Sequence, residues 1–320
     1  MANGYGPILS RRLRRPGDRR RAFLHYMRQY WPFYVMILPA LLDTLIFRYW
    51  PMYGVQIAFR DYRVRKGIWG SEWVGMEHMM RFLNSSNFWP LMRNTFLLAF
   101  YSLLWGFPIP IILALMMNEL TGKGFKRTVQ MLTYAPYFLS SVAIVGLINL
   151  FFQRETGLVN VLAMKLGFPD HNYLSDPSWF RTLYIGSGVW QGAGWGTIIY
   201  MAALSGVESE VLEAAVIDGA NRMQKILYIN LPTILPTIVI LLIMNTGSLL
   251  SVGFEKVFLM QNKLNMDVSD VISTYTYRLG ILDGQFSYTT AIGLANSVVN
   301  AVILVAVNFI AGRVGETSLW

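Results

Sequence analysis

Residues 213–232 read EAAVIDGANRMQKILYINLP, a polar stretch between two long apolar runs. Charged side chains are dense in and just before it, and each would cost about 3 kcal/mol at the centre of a bilayer. These charges are Glu208, Glu210, Glu213, Asp218, Arg222 and Lys225. The stretch is therefore not expected to cross a membrane. Gly219 is expected to end a helix, because glycine adopts left-handed backbone geometry at little cost. A second short helix should lead to Pro232, which suits the first turn of the next helix.

The first of these helices should start near Ser205 or Ser209, since either hydroxyl can accept a hydrogen bond from a free backbone N–H. Leu212, Ala215 and Val216 give it an apolar side, which is expected to face the body of the chain. Two interpretations of the helix, bend and second helix stay open on the residues alone. The segment either fits a groove of a second protein or rests on lipid, although lipid-facing helices usually have a basic polar face and this one begins acidic.

The composition is that of a membrane protein. Of 320 residues, 54% are hydrophobic and 14% are charged, whereas a soluble domain has about 25% charged residues. Crossing the hydrocarbon core takes about 20 mostly apolar residues. Stretches of this kind lie at 31–59, 94–118, 129–152, 181–205, 231–252 and 288–311. We therefore predict an all-α polytopic membrane protein with six transmembrane helices.

The chain lacks the residues of several kinds of active site. It has no cysteine, which excludes disulfides and thiolate metal sites. Its three histidines, at positions 25, 78 and 171, fall in separate polar segments, so a catalytic metal cluster is not expected. The phosphate-binding pattern GxxxxGK[ST] is absent, also around residues 122–124, so the chain itself should not hydrolyse ATP.

A basic amino terminus sets the expected orientation. Eight arginines lie within residues 11–28, just before the first apolar run, and such residues usually hold that end in the cytoplasm. A specific partner or lipid contact is the alternative. The run has no small-residue cleavage site, so an uncleaved anchor is expected and not a secretory signal. Residues 1–30 are thus predicted as a cytoplasmic segment and 31–320 as the transmembrane domain.

Two observations leave points open. The predicted cytoplasmic parts contain 14 Lys and Arg and the predicted outer loops 12, so the orientation depends mainly on the amino terminus. Asp43 lies inside the first predicted span. An ionisable group in a span is a functional hypothesis by default, but a structural pairing within the bundle is favoured here.

A motif resemblance bears on the polar stretch. Glu213-Ala214-Ala215, Gly219, Ile229 and Leu231-Pro232, at their spacings, resemble the EAA loop of binding-protein-dependent ABC import permeases. Residues 207–232 are therefore named the EAA segment. Several stretches resemble the oligosaccharide and polysaccharide subfamily, which includes the LplB-like proteins and an alginate importer subunit. They are 38–62, 176–207, 253–262, 270–280 and 286–300. Nearly the whole chain from about residue 33 is covered.

The resemblance implies a type I ABC importer permease fold and a set of partners. Two homologous permeases form the pore, two ATPase subunits lie below, and an extracytoplasmic solute-binding protein delivers the substrate. The EAA helix of each permease inserts into a cleft of one ATPase. By this resemblance the coupling residues are Glu213, Ala214, Ala215 and Gly219, supported by Asp218, Arg222, Leu231 and Pro232. The chain would hold no cofactor, because ATP and Mg bind to the ATPase subunits, and it would contact lipid but no nucleic acid.

Permeases of this kind have a polar and aromatic cavity between their spans, and we predict its residues from the side-chain types. Aromatic faces and amides suit sugar rings. The predicted substrate path is Trp190, Gln191 and Trp195 in the fourth span, Asn245 with Thr246 and Ser248 in the fifth, and Asn296 and Asn300 in the sixth. Plain packing, interface anchoring and interhelical hydrogen bonds are the alternatives for these residues.

The substrate class follows from the resemblance, and its charge stays open. Basic residues of the first predicted outer loop, Arg60, Arg63, Arg65 and Lys66, would favour an acidic oligosaccharide such as a uronate. They would equally pair with an acidic binding protein or with Asp61 and Glu72. An integral-membrane enzyme is a rival, but no cluster of carboxylates, histidines or a nucleophile supports it. A secondary carrier is a second rival. It would need charged residues deep in several spans and inverted repeats, and the sequence shows neither. A permease for a non-sugar solute is a further alternative.

Overall fold

The computed structural model describes residues 16–314, with side chains from 25 to 313. The chain divides into two compact units, one through Gln56 and one from Ile57. The first unit has a long helix, α1 (Pro16–Thr44), a π-helical turn (Leu45–Tyr49) and the short α2 (Trp50–Met52). A 3-10 turn follows over Tyr53–Phe59. Helix α1 thus begins within the segment 1–30, of which residues 1–15 lie outside the described part.

The second unit is mostly helical. Its helices are α3 (Gly67–Gly70), α4 (Glu77–Leu83), α5 (Phe88–Gly106), α6 (Pro108–Asn118), α7 (Lys123–Tyr134), α8 (Ser141–Phe152), α9 (Leu158–Lys165), α10 (Pro177–Leu204), α11 (Ser209–Ile217), α12 (Arg222–Lys225), α13 (Leu231–Thr246), α14 (Phe254–Met260), α15 (Met266–Ser269), α16 (Ile272–Tyr277) and α17 (Phe286–Val314). A 3-10 turn (Ala135–Phe138) follows α7, and π-helical turns follow α12 (Ile226–Asn230) and α16 (Arg278–Leu282).

A small antiparallel sheet departs from the all-α prediction. Strands β1 (Arg60–Arg63) and β2 (Ser71–Trp73) pair Arg60 with Trp73. Gly67, with φ +66°, takes the left-handed backbone that the reversal between the strands requires. Strands of four and three residues are too short to show an alternating pattern in the sequence. Within β1, Arg63 forms an ion pair with Asp61 at 3.0 Å, one of the pairings considered for this loop.

The number of helices that could cross a membrane is smaller than the six predicted. Among residues 16–314, four helical stretches are long and apolar enough by themselves, and a bent pair would make a fifth. The four stretches are His25–Phe59, Phe88–Asn118, Arg222–Thr246 and Phe286–Arg313. Helix α10 has 28 residues but is not among them. Its five glycines and three tryptophans lower its mean hydropathy without shortening it.

The predicted span 129–152 is two helices and not one. Helix α7 with its 3-10 turn meets α8 at an angle of 101°. Pro136 lies in the 3-10 turn, and Leu139 and Ser140 are extended. The Ser140 hydroxyl accepts a hydrogen bond from the Ala143 N–H at 3.2 Å, so α8 begins with its own N-terminal cap. The residues next to the break are largely apolar on both sides, so the sequence did not reveal the angle.

Helix α10 lies at the centre of the second unit, against α5, α6, α7 and α13. A Cβ at Gly194 would stand 2.0 Å from the carbonyl oxygen of Thr133, and one at Gly196 would stand 3.0 Å from Pro110. Glycines at these two positions therefore let α10 approach α7 and α6 closely. At one end of α10 the buried core comprises Ala114, Leu115, Tyr200, Leu204 and Ile234. Nearer its other end it comprises Leu98, Phe180, Val257 and Val271.

Two polar side chains of α5 bind the backbone of the segment that leads from α14 to α16. The buried Asn94 amide donates to the carbonyl oxygens of Asp267 at 2.8 Å and Asp270 at 3.1 Å. The Thr95 hydroxyl accepts from the Ile272 N–H at 3.0 Å. Because unpaired buried backbone groups are costly, these bonds fix the position of this segment, and α14 with it, against the helices.

Candidate functional site

The EAA segment has the predicted helix, bend and second helix. Helix α11 ends at Ile217, and Gly219, two residues further on, has a φ of +82°. The Ala220 N–H bonds to the Ala215 carbonyl at 2.8 Å and the Gly219 N–H to that of Val216 at 3.1 Å. This pair of bonds is the Schellman arrangement that closes a helix on a left-handed residue. The bend is thus a local property of Gly219 and does not depend on distant contacts.

Both helices of the segment differ from expectation in detail. The residue before α11 is Glu208, which makes no side-chain cap, while Ser205 lies at the end of α10, so the predicted serine caps are wrong. Helix α12 has a capping box: the Asn221 side chain accepts from the Gln224 N–H at 2.9 Å, and the Gln224 side chain from the Asn221 N–H at 2.8 Å. It continues through a π-helical turn into α13, where Pro232 occupies the first turn as predicted.

Much of the EAA segment is exposed within this chain. Glu213, Ala214 and Arg222 are exposed, Ala215 is half-buried, and none of the residues 205–224 is buried. Apolar side chains are exposed as well, with Ile217 at 85% and Val216 at 57%. The expectation that Val216 faces the body of the chain is therefore wrong. A helix that exposes apolar and acidic side chains side by side has a surface suited to another protein.

A shallow groove of about 300 Å³ lies at the bend. Ala215, Asp218 and Gly219 line one part of it, and Lys225 and Tyr228 another. The structure thus brings three of the predicted coupling residues together around one concave surface, while Glu213 and Ala214 stand on the exposed part of α11.

The second helix of the segment is anchored to the core. Leu231 and Ile226 pack against the cluster that includes Ala114, Tyr200 and Ile234. Immediately before Leu231, Asn230 is fully buried. A displacement of α12 is therefore expected to move the end of α13, because the two share a continuous helix and a common core contact.

A cavity of about 560 Å³ lies between α5, α6, α10 and α13. Of the predicted path residues, Gln191, Asn245 and Ser248 line it. The Gln191 amide donates to the Leu139 carbonyl at 2.9 Å, and the Asn245 amide to the Leu241 carbonyl at 2.7 Å. These bonds orient the two amides, and a cavity with a few oriented polar groups on apolar walls is the usual form of a small-molecule site.

The other predicted path residues lie elsewhere. Trp190 lines a separate apolar pocket beside α8. Trp195 stacks on Tyr137, with ring centroids 4.5 Å apart and an angle of 4° between the rings. Asn300 is buried and accepts a hydrogen bond from the Leu250 N–H at 2.9 Å. Asn296 has a buried side-chain oxygen without a hydrogen-bond partner among the described residues. Neither these four residues nor the buried Thr246 line the cavity, and their assignment to the path stays a prediction.

The sequence analysis missed Lys256, the one charged residue among the described residues that line the cavity. Lys256, on α14, lines the cavity beside Tyr184 and Gly188. The sequence signal was a lysine in the apolar run FEKVFLM, but it falls in a predicted outer loop, where a lysine attracts no attention. Only the packing of α14 against α10 places it among the helices.

Comparison with known proteins gives consistent matches. A family model described as binding-protein-dependent transport system inner membrane component matches residues 106–316. Protein LplB of Bacillus subtilis (strain 168) is 44% identical over 287 residues, 90% of each chain. The polygalacturonan/rhamnogalacturonan transport system permease protein YteP of the same organism is 39% identical over 319 residues, 100% of this chain and 99% of the relative.

Solved structures agree with these matches. One structure is a bacterial ABC transporter involved in the import of the acidic polysaccharide alginate. A chain of it is 39% identical with a TM-score of 0.83, over 91% of this chain and 99% of that one. A second structure is a bacterial alginate ABC transporter in complex with an alginate pentasaccharide-bound periplasmic protein. Its matching chain is also 39% identical, with a TM-score of 0.84, over 92% of this chain and 99% of that one.

Proposed function

Because this chain belongs to the family of binding-protein-dependent transport system inner membrane components, we propose that it is the permease subunit of an ATP-driven importer of oligosaccharides. The chain is a non-catalytic membrane subunit with the type I ABC permease fold. The observation that supports its role most directly is the EAA segment, which combines an exposed acidic helix, a glycine bend and a core-anchored second helix.

Coupling proceeds through that segment. Glu213 and Ala214 on exposed α11, and the groove at Ala215, Asp218 and Gly219, contact an ATPase subunit. Arg222 supports this contact, and Leu231 and Pro232 transmit it. Movement of α11 reaches α12 through the bend at Gly219. It then reaches α13, because α12 and α13 form a continuous helix. The chain holds no cofactor of its own, and ATP and Mg bind to the ATPase subunits.

The assembly contains further partners. A second homologous permease completes the pore, and a solute-binding protein delivers the substrate from outside. The solved alginate transporter with a pentasaccharide-bound periplasmic protein supports the latter partner. The amino terminus and the EAA segment lie on the cytoplasmic side. Helix α10 crosses the membrane as the fourth of six spans, since its 28 residues exceed the roughly 20 that a bilayer requires.

The substrate is an oligosaccharide with acidic units. The support is the pair of relatives whose names concern alginate and polygalacturonan or rhamnogalacturonan, each 39% identical over at least 91% of this chain. Gln191, Asn245 and Ser248 line the cavity through which it passes. Amide and hydroxyl groups on apolar walls match sugars, which present hydroxyls at their edges and C–H groups on their faces.

The test is substitution of Glu213 in the assembled importer in proteoliposomes. Glu213→Lys should abolish uptake of an oligouronate while the chain still assembles, because it places a cation where the exposed carboxylate stood. Glu155→Lys is the matched control, since Glu155 is exposed in the loop between α8 and α9. Normal uptake with Glu213→Lys contradicts the coupling assignment. Uptake of amino acids or metal ions in place of any oligosaccharide contradicts the substrate class.

A further inference from the structure

Lys256 is the one formally charged residue among the described residues that line the central cavity. The remaining lining consists of apolar side chains, glycines, hydroxyls and the amides of Gln191 and Asn245. A single ammonium group among such walls attracts anions, because a charge acts more strongly where water is scarce.

The contacts of Lys256 leave its charge without a counterion. Its Nζ donates to the Tyr184 carbonyl oxygen at 2.9 Å and lies 4.8 Å from the centroid of the Tyr184 ring. Within the described part of the chain, no carboxylate lies within 4.0 Å of it. An ammonium group has three donors, so the bond to Tyr184 leaves two for another acceptor.

The surrounding packing holds the ammonium in place. The next residue, Val257, is fully buried against Leu98, Phe180 and Val271, which fixes the backbone of α14. On α10, a Cβ at Gly188 would stand 3.4 Å from the Lys256 Nζ, so a larger residue there would crowd the ammonium. The absence of a side chain at Gly188 keeps room beside the charge.

We propose that Lys256 is a specificity-determining residue of the transport path, which binds the carboxylate of an anionic oligosaccharide as it passes through the cavity. This inference rests on the proposed function and names the residue that recognises the acidic units of its substrate. A half-buried cation without a counterion is unfavourable until an anion arrives, so a uronate unit gains a charge-assisted hydrogen bond that a neutral sugar does not gain. Gln191 and Asn245 line the same cavity and are available to the sugar hydroxyls.

The competing explanation is that Lys256 only ties α14 to α10 through the Tyr184 carbonyl. The two explanations differ in what they predict for neutral sugars. A structural tie supports acidic and neutral substrates alike, whereas a carboxylate-binding lysine affects the acidic substrate alone. The ratio of the two affinities therefore separates them.

The experiment uses the assembled importer in nanodiscs without its binding protein, so that the selectivity of the binding protein does not enter. Saturation-transfer NMR titrations give the affinity for an oligouronate and for the neutral oligosaccharide made from it by carboxyl reduction. The variants are Lys256→Met, Lys256→Arg and Lys263→Met. Lys263 is an exposed lysine between α14 and α15 and tests whether the loss of any nearby positive charge has the same effect.

The wild type should bind the oligouronate about tenfold or more tightly than the neutral sugar, as expected for one charge-assisted bond. Lys256→Met should remove this preference, and Lys256→Arg and Lys263→Met should retain it. Equal loss of both affinities in Lys256→Met, the same change in Lys263→Met, or no preference in the wild type overturns the proposal. ATP-dependent uptake by the wild type is measured in parallel in proteoliposomes, with the binding protein present. Absence of all oligosaccharide uptake refutes the proposed function, whereas uptake with unchanged selectivity in Lys256→Met refutes only this inference.

Discussion

Lys225 Nζ lies 3.8 Å from Glu119 Oε2 and thereby connects the second helix of the EAA segment to the end of α6. The Asn230 amide donates to the other oxygen of the same carboxylate at 3.5 Å. Both charged side chains are mostly buried, with 20% and 17% of their surface exposed. Glu119 thus contacts the segment at both ends of its π-helical turn. We infer that α6 and the EAA segment move together.

Exchanging the two charges tests this connection. Glu119→Lys and Lys225→Glu should each lower the amount of substrate imported per ATP hydrolysed, and the double exchange should restore part of it. The interaction between the two side chains is expected to contribute about 1 kcal/mol. This is toward the upper range for ion pairs, because both side chains are mostly buried. Uptake and ATPase activity measured on the same proteoliposomes give the ratio. Strictly additive effects of the two substitutions would rule out a direct interaction.

Gly219→Ala should uncouple transport from ATP hydrolysis. A Cβ at φ +82° costs about 1 kcal/mol, which favours straightening of the bend. The control is Gly167→Ala, because Gly167 also has a positive φ, +87°, and an added Cβ meets nothing within 4 Å at either position. Both variants have a similar local strain, but only Gly219 lies in the EAA segment. Equal transport losses in the two variants would mean that strain alone is responsible.

Gly194→Ala should destabilise the fold, because its Cβ would overlap the Thr133 carbonyl oxygen and force α10 away from α7. Overpacking of this kind costs about 1–3 kcal/mol. Gly192→Ala is the control in the same helix, since its added Cβ has nothing within 4 Å. The measurement is the temperature at which the detergent-solubilised protein aggregates, followed by size-exclusion chromatography. A Gly194→Ala protein as stable as the control would show that the helices separate at no cost.

Affinity for the acidic substrate should fall as the pH rises through about 8. Burial lowers the pKa of Lys256, on the short helix α14, from 10.5 to about 8. The ammonium is therefore charged below this pH and loses its charge above it. Beside Lys256 lies the phenol of Tyr184 on α10, and Glu255 is adjacent on α14 itself. Of the other elements packed against α14, α16 contributes Tyr277, whose ring contacts Phe254, and α8 contributes no titratable group.

The comparison that isolates this titration is Lys256→Arg, because a guanidinium stays protonated throughout the range. Binding of the oligouronate by this variant should be constant from pH 7 to about pH 9, while the wild type loses about tenfold or less over the same interval. Parallel pH profiles for the two proteins would assign the titration to another group.

The EAA segment shows how much local sequence determines. Gly219 and its flanking helix formers predict the bend, because the left-handed conformation and the bonds that close the helix involve only residues within five positions of one another. The apolar stretches likewise mark most of the helices that could cross a membrane, since length and hydrophobicity are properties of a single stretch.

Tertiary structure decided which polar side chains share a cavity. Three separate helices supply Gln191, Asn245 and Lys256 to the cavity. Elsewhere, Trp195 stacks on Tyr137 and Asn300 accepts a hydrogen bond from the Leu250 N–H. Helical periodicity tells which residues share a face, but which face meets which neighbour depends on contacts such as that of Gly194 with Thr133. The sequence by itself determined most of the long apolar helices and the bend at Gly219. The close approach of α10 to its neighbours decided the cavity, because packing distances depend on residues far apart in the chain.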